Sequence, residues 1–309
     1  MRFPLALSFL VLLVASLVGG CGSGRNPIAA VDGDVAAPPD LAVTNFGLPD
    51  LIGLDLVNPP PGCAEIDGCY TVYAHSDNVL YKIDLAKKLL VTVGPFTAPK
   101  VGGREDTITD LAVAADNTIW AVSKGTLYTV SAADGHVTPF GSVALCGADN
   151  IALTFTPDGK LYLGDHLGAF CIVDITQKPP AVNLIGMIGG GYALSGDLVT
   201  LSDGAMYGTV YLLGDKTVPR IDSLVKIDPA TGRQIALVGK TGAPVLFGLA
   251  FDQGQFFAFT HDGTGGVFTL DPKTGKATLY NTFKDPMTGA GIKFAGAAVN
   301  PMVMAPPPG

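Results

Sequence analysis

"VFTLDPKTGKATLY", Val267–Tyr280, runs from five β-prone residues through a Gly-containing turn into a second β-rich run, which is the grammar of a hairpin. The phrase is not alone. "LYKID" ends at Asp84, "LYTVS" at Ser131, "FCIVD" at Asp174 and "LVKID" at Asp228, so with Asp271 the intervals are 47, 43, 54 and 43 residues. In every copy the fourth, third and first positions before the last residue are apolar or Cys. A turn pair follows in three copies, as Asp134-Gly135, Thr231-Gly232 and Thr274-Gly275, while Lys87-Lys88 and Gln177-Lys178 stand there in the other two.

Upstream of four copies lies a second hairpin of the same kind: "LAVAADNTIWAVS", "LTFTPDGKLYLGD", "VTLSDGAMYGTV" and "LAFDQGQFFAFT". The first copy has only the outer part, "CYTVYAHSD", and the missing strand reappears near the other end of the chain as "IKFAGAAVNP", residues 292–301. That offset is what ring closure by a C-terminal strand requires. Repeats of this length with four short strands each predict a β-propeller, here all-β and five-bladed, over residues 67–304. Helical repeats of similar period would show a 3.6-residue pattern, which these segments lack. The 40 Gly and 23 Pro suit a fold made of turns. The repeat phrase resembles those of bacterial extracytoplasmic propellers of the broad beta-lactonase-like and quinoprotein-like kind. That resemblance implies architecture only, since propellers host binding, scaffolding, lyase and hydrolase functions alike.

The N-terminus reads as an address. Arg2 precedes the apolar run "FPLALSFLVLLVASLV", and "LVGGC" closes the segment at Cys21, the layout of a cleaved signal peptide over residues 1–20. "VGGC" resembles a bacterial lipobox, which implies acylation of the Cys21 thiol and a durable anchor. Gly22 after it, in place of an aspartate, favours the outer membrane. Residues 21–66, with "NPIAAVDGDVAAPPD" and "NPPPG", read as a Pro- and Gly-rich flexible tether, in which "LPDLIGLDLV" is apolar enough to pack on the domain; residues 305–309 form a Pro-rich tail. Besides Cys21, four cysteines remain. In an oxidising compartment an even set suggests two disulfides: Cys63 with Cys69, which bracket a short loop, and by elimination Cys146 with Cys171.

The chain carries 19 Lys+Arg against 27 Asp+Glu, net −8, with no basic run, so nucleic acid is excluded as a partner class. The expected partners are the membrane, through the anchor, and an envelope protein, glycan or small ligand; the chain reads as a monomer.

Two sets of residues are candidates for chemistry. His75, His166 and His261 precede their repeat aspartates by 9, 8 and 10 residues, which places each in the turn between the second and third strands of its blade. Each has an acidic neighbour, Asp77, Asp165 and Asp262, and imidazole with carboxylate suits ligand binding, general base work or a divalent metal such as calcium. Asp and Gly in such turns are equally what positive φ demands. No cofactor and no metal site is therefore expected. The second set lies on the innermost strands, where Asp110, Ala152 and Asp197 align and Glu105, Asp106 and Asp149 mark strand entries. Paired carboxylates around an axis could serve acid–base hydrolysis, yet a single Trp, Trp120, offers little sugar platform. "DGTGG" at Asp262 lacks the Lys-Ser/Thr of a phosphate loop, and no Gly-x-Ser-x-Gly elbow occurs. The balance favours a lipid-anchored binding module presenting its site on one face of the ring. The alternative is a hydrolase or lyase near the channel using Asp110, Asp197, His75, His166 or His261.

Overall fold

The computed structural model describes residues 71–97, 100–101, 104–216 and 218–303. The segments expected to form a signal peptide and tether, Cys21, the expected Cys63–Cys69 bridge and residues 305–309 lie outside the described residues.

Blade one begins with β1 (Val72–His75), β2 (Val79–Asp84) and β3 (Leu89–Pro95), and a two-stranded hairpin, β4 (Lys100–Val101) with β5 (Arg104–Glu105), follows. Blade two is β6 (Ile108–Val113), β7 (Ile119–Ser123), β8 (Thr126–Val130) and β9 (Val137–Ser142). Blade three is β10 (Asn150–Phe155), β11 (Leu161–Asp165), β12 (Ala169–Asp174) and β13 (Ala181–Met187). Blade four is β14 (Tyr192–Thr200), β15 (Met206–Leu212), β16 (Ile221–Ile227) and β17 (Gln234–Pro244). Blade five is β18 (Leu246–Asp252), β19 (Gln255–Thr260), β20 (Gly266–Leu270) and β21 (Ala277–Thr282). The last strand, β22 (Gly296–Ala298), returns to pair antiparallel with β1 and completes blade one. The result is five four-stranded antiparallel sheets whose inner strands β22, β6, β10, β14 and β18 pack one against the next around a ring. The ring is a five-bladed β-propeller.

Sequence explains the radial order. Inner and second strands are buried on both faces, as in β11 and β19, and read as nearly continuous apolar runs. Third strands alternate, with Leu80, Tyr81 and Ile83 buried and Lys82 exposed. Outer strands such as β13 are half wet. The aspartate that ends the repeat phrase is a turn former. Asp271 Oδ1 accepts the N–H groups of Lys273 (2.8 Å) and Thr274 (2.9 Å), and Gly275 then takes a left-handed φ of 71°. These turns also latch blades together. A Cβ on Gly239 of β17 would lie 2.0 Å from the Thr274 carbonyl oxygen, so only glycine lets that turn seat on the preceding blade.

Candidate functional site

Inner strands present one edge to the channel, where no further strand can pair with it. Their N–H groups must find other acceptors or stay wet. Asp110 and Asp197 supply those acceptors. Asp110 Oδ2 accepts the N–H of Leu153 (2.6 Å) and Asp110 also accepts that of Leu111. Asp197 Oδ1 accepts Leu198 N–H (2.6 Å), and its Oδ2 accepts Leu249 N–H (2.8 Å) and Ala297 N–H (3.2 Å). Strand register makes these five donors equivalent: Leu111 lies opposite Ala121, Leu153 opposite Leu163, Leu198 opposite Gly208, Leu249 opposite Ala258 and Ala297 opposite Ala74. Two carboxyl groups thus gather one N–H from every blade.

Both aspartates are fully buried. Burial pushes each well above the usual carboxylate range, and the charge of Asp197 pushes Asp110 further. Two charges side by side in a dry axis are costly, so burial and the neighbouring carboxylate both favour a proton on Asp110, whose Oδ1 meets no other donor. Asp197 accepts three backbone donors and Asp110 two, so Asp197 is the better stabilised of the two as an anion.

His75 adjoins this hub. It is the last residue of β1 rather than part of the following turn, and it is fully buried. Its Nδ1–H donates to the Ser76 carbonyl (2.8 Å), which leaves Nε2 bare and without a hydrogen-bond partner. Nε2 and Asp110 Oδ1 converge on Gly296, where an added Cβ would lie 2.5 Å and 2.3 Å from them. Burial lowers the His75 pKa to about 4, against small upward pulls from Ser76 and Asp77.

The three histidines are not equivalent. The first residue of each repeat phrase is a register mark, and Leu80, Phe170 and Val267 lie opposite His75, Gly164 and Phe259. His166 and His261 sit two residues further on, at the start of their turns. The structure brings His261 near enough to His75 for a charge on His261 to oppose one on His75. His261 stacks on Phe247 (4.3 Å between centroids) and donates Nδ1–H to the Phe294 carbonyl (2.7 Å). Burial lowers its pKa as well. His166 goes elsewhere, bonded through Nε2 to the Tyr211 hydroxyl of blade four (2.9 Å). The neighbouring acids are mostly turn formers. Asp165 accepts Asp149 N–H (2.9 Å) and Leu167 N–H (2.8 Å), and Asp262 accepts Thr264 N–H (2.9 Å) and its hydroxyl (2.7 Å). Asp77 is exposed. Asp106 accepts the Tyr128 hydroxyl, and Asp149 pairs with Lys124 (2.9 Å). Among the described residues no group of three or more His, Cys, Asp or Glu side chains is placed to hold a metal ion.

Sequence reasoning missed the surface next to His166. The Arg220 guanidinium lies 3.7 Å over the Tyr211 ring, with Nε 3.6 Å from the buried Asp222 carboxylate. On the loops of this face, large apolar side chains meet solvent: Leu145, Leu167, Leu212, Leu213 and Val218, from 45% exposed at Leu212 to 92% at Val218. Cys146 next to Leu145 is disulfide-bonded to Cys171 of β12, as the cysteine count predicts. These residues belong to the blade-to-blade loop entering blade three and to the second-to-third-strand turns of blades three and four, all on one face of the ring. The opposite face, made of the first-to-second and third-to-fourth turns, exposes no large apolar side chain among the described residues. The available signal was leucine in a turn, as in "HLG" and "LLGD".

The fold and hub define the class, a five-bladed β-propeller closed by its C-terminal strand. The sequence matches no protein-family model and no curated protein. Solved structures similar to it include a chain of a nidogen/laminin complex, at 14% identity over 74% of this chain and 97% of that one, TM-score 0.47. The β-propeller domain of Cps50 (Swd1) from Myceliophteria thermophila is similar at 14% identity over 72% of each chain, TM-score 0.41. An auxiliary nutrient binding protein from Bacteroides thetaiotaomicron is similar at 13% identity over 72% of this chain and 58% of that one, TM-score 0.42.

Proposed function

We propose that the protein is an exported, lipid-anchored interaction module that binds a protein partner through the loop face of blades three and four. The observation that carries this reading is the one-sided distribution of exposed apolar residues. Leu145, Leu167, Leu212, Leu213 and Val218 lie on the loops of the face that also carries the Tyr211–Arg220 stack, and the turns of the opposite face carry none of that kind among the described residues. Apolar side chains around a Tyr and an Arg are the composition of a protein-binding patch. A glycan would ask for broader aromatic platforms. Of the residues the hydrolase or lyase alternative would use, Asp110 and Asp197 are buried and occupied with inner-strand N–H groups, His75 is fully buried, and His166 and His261 are held by Tyr211 and Phe294. Anchoring through Cys21 would hold the ring at the cell envelope, with the outer membrane as the favoured site.

The test places a photoreactive amino acid at Leu167 or Val218, and at Ala133 or Thr176 on the opposite face, in cells. Discrete cross-linked products from the first pair alone support the reading; equal products from both faces, or none from Leu167 and Val218, overturn it. Labelling with a fatty-acid analogue tests the anchor, which Cys21→Ala should abolish.

A further inference from the structure

Four blades hold their inner strand by covalent continuity, as one arm of a hairpin. Blade one does not. Its inner strand β22 is the shortest of the five, three residues long, and pairs with β1 only through Tyr73–Ala298, Ala74–Ala297 and His75–Gly296. What else holds it is unusual in kind. The Phe294 carbonyl accepts His261 Nδ1–H from blade five (2.7 Å). Ala295 N–H donates to the backbone carbonyl of His75 (2.7 Å). Gly296 packs its α-carbon between His75 Nε2 and Asp110 Oδ1, from blades one and two. Ala297 N–H donates to Asp197 Oδ2 from blade four (3.2 Å). Four consecutive residues of the closing segment each meet a titratable residue, and the four come from four different blades.

We propose that ring closure is a proton-dependent latch: the segment Phe294–Ala297 stays docked while His75 and His261 are neutral, and mild acid releases it without unfolding the other blades. The mechanism follows from the contacts. A proton on His75 Nε2 would place a charge in a fully buried site against Gly296 of the closing strand. Burial opposes that charge more than Ser76 and Asp77 favour it, and releasing the closing segment would return the imidazolium to water. The groups around the two imidazoles do not offset it. His75 faces Asp77, His261 and Asp110; His261 faces His75, Asp77, Asp262 and Lys293. Asp77 is exposed, so its charge is screened, and Asp262 is occupied by Thr260 and Thr264. Burial lowers the pKa of both imidazoles, which is the direction a latch closed at neutral pH requires.

Amide hydrogen exchange on the purified mature chain tests this, at neutral pH and at about pH 5, corrected for intrinsic rates. The expected result is a loss of protection on the order of tenfold or more at Ala295 and Ala297, with β10–β13 and β14–β17 unchanged. His75→Val, which copies Val122 at the same register position of blade two, should remove that pH dependence. Should His75→Val fail to fold, His261→Asn keeps a donor to Phe294 without a titrating ring and should reduce the pH response. Unchanged protection at acid pH overturns the latch, as does equal loss in every blade, or a full response in a folded His75→Val or His261→Asn protein.

Discussion

Asp110 and Asp197 reach the axis from blades two and four, and between them accept a backbone N–H from all five blades. A propeller's inner edges are otherwise its least satisfied backbone. Two acidic side chains in a dry core are costly by themselves. The substitutions that test this differ by one atom or by the whole carboxyl group.

Asp197→Ala strips the acceptor from Leu198, Leu249 and Ala297 at once. At about 1 kcal/mol or more for each buried donor left unpaired, the loss is on the order of 3 kcal/mol. That corresponds to a fall of roughly 6–12 °C in Tm for a domain of this size. Asp110→Asn should be far milder. Its amide is a neutral group where burial already opposes a charge, while its carbonyl oxygen keeps Leu153. Thermal unfolding of both proteins checks the order, and an Asp110→Asn protein less stable than Asp197→Ala would refute the placement of the proton.

Stability against pH should show two flanks. His75 has a folded pKa of about 4 against 6.5 for a free imidazole, so the unfolded chain binds the extra proton between these values. Its contribution, about 3 kcal/mol, is therefore present above pH 6.5 and is lost as pH falls toward 4. The aspartate pair has the opposite sense. Its folded pKa values are raised, so the folded state holds the extra proton and stability declines as pH rises from the unfolded carboxylate value through the raised folded value. Denaturant titrations across pH should show His75→Val flattening the acid flank and Asp110→Asn flattening the other, each leaving its counterpart intact.

Gly296→Ala should break ring closure, because the new methyl would lie 2.3 Å from Asp110 Oδ1 and 2.5 Å from His75 Nε2, both held in place by the core. Gly125→Ala is the control: its Cβ would meet only the Ala144 methyl at 3.9 Å. The expected outcome is rapid proteolysis of the C-terminal segment in Gly296→Ala alone. Equal resistance in both proteins would mean that β22 has room the structure does not show.

The architecture was readable because β-periodicity survives insertion: each "LYKID"-like phrase is a third strand whatever the loops around it do. Closure was readable because one copy lacked a strand that the other end of the chain supplied. The histidines were misaligned for the complementary reason. Counting from the repeat aspartate crosses a turn of variable length, three residues between β1 and β2 but five between β19 and β20, and register does not survive such a count. Asp110 and Asp197 did stand out as acids inside apolar strands, each followed by Leu. Their role was hidden because the groups they serve are backbone N–H groups, which leave no mark in the sequence. The apolar arc of blades three and four was hidden by dispersion, since its members come from three separate loops.

The disulfide links that arc to the fold. Cys146 adjoins Leu145 in a loop, Cys171 lies in β12, and both are buried. The bridge closes 25 residues, for which chain-entropy reasoning gives about 3 kcal/mol. Replacing both cysteines with serine also puts two hydroxyls among Val143, Leu153 and Leu163, which share the same buried cluster. Cys146→Ala/Cys171→Ala is therefore the cleaner variant. It should unfold at lower denaturant concentration, lose exchange protection first in the loop containing Leu145, and give fewer cross-links to a partner from a probe at Leu167. If the double alanine protein kept full stability and an unchanged cross-linking pattern, the bridge would have no part in presenting the surface.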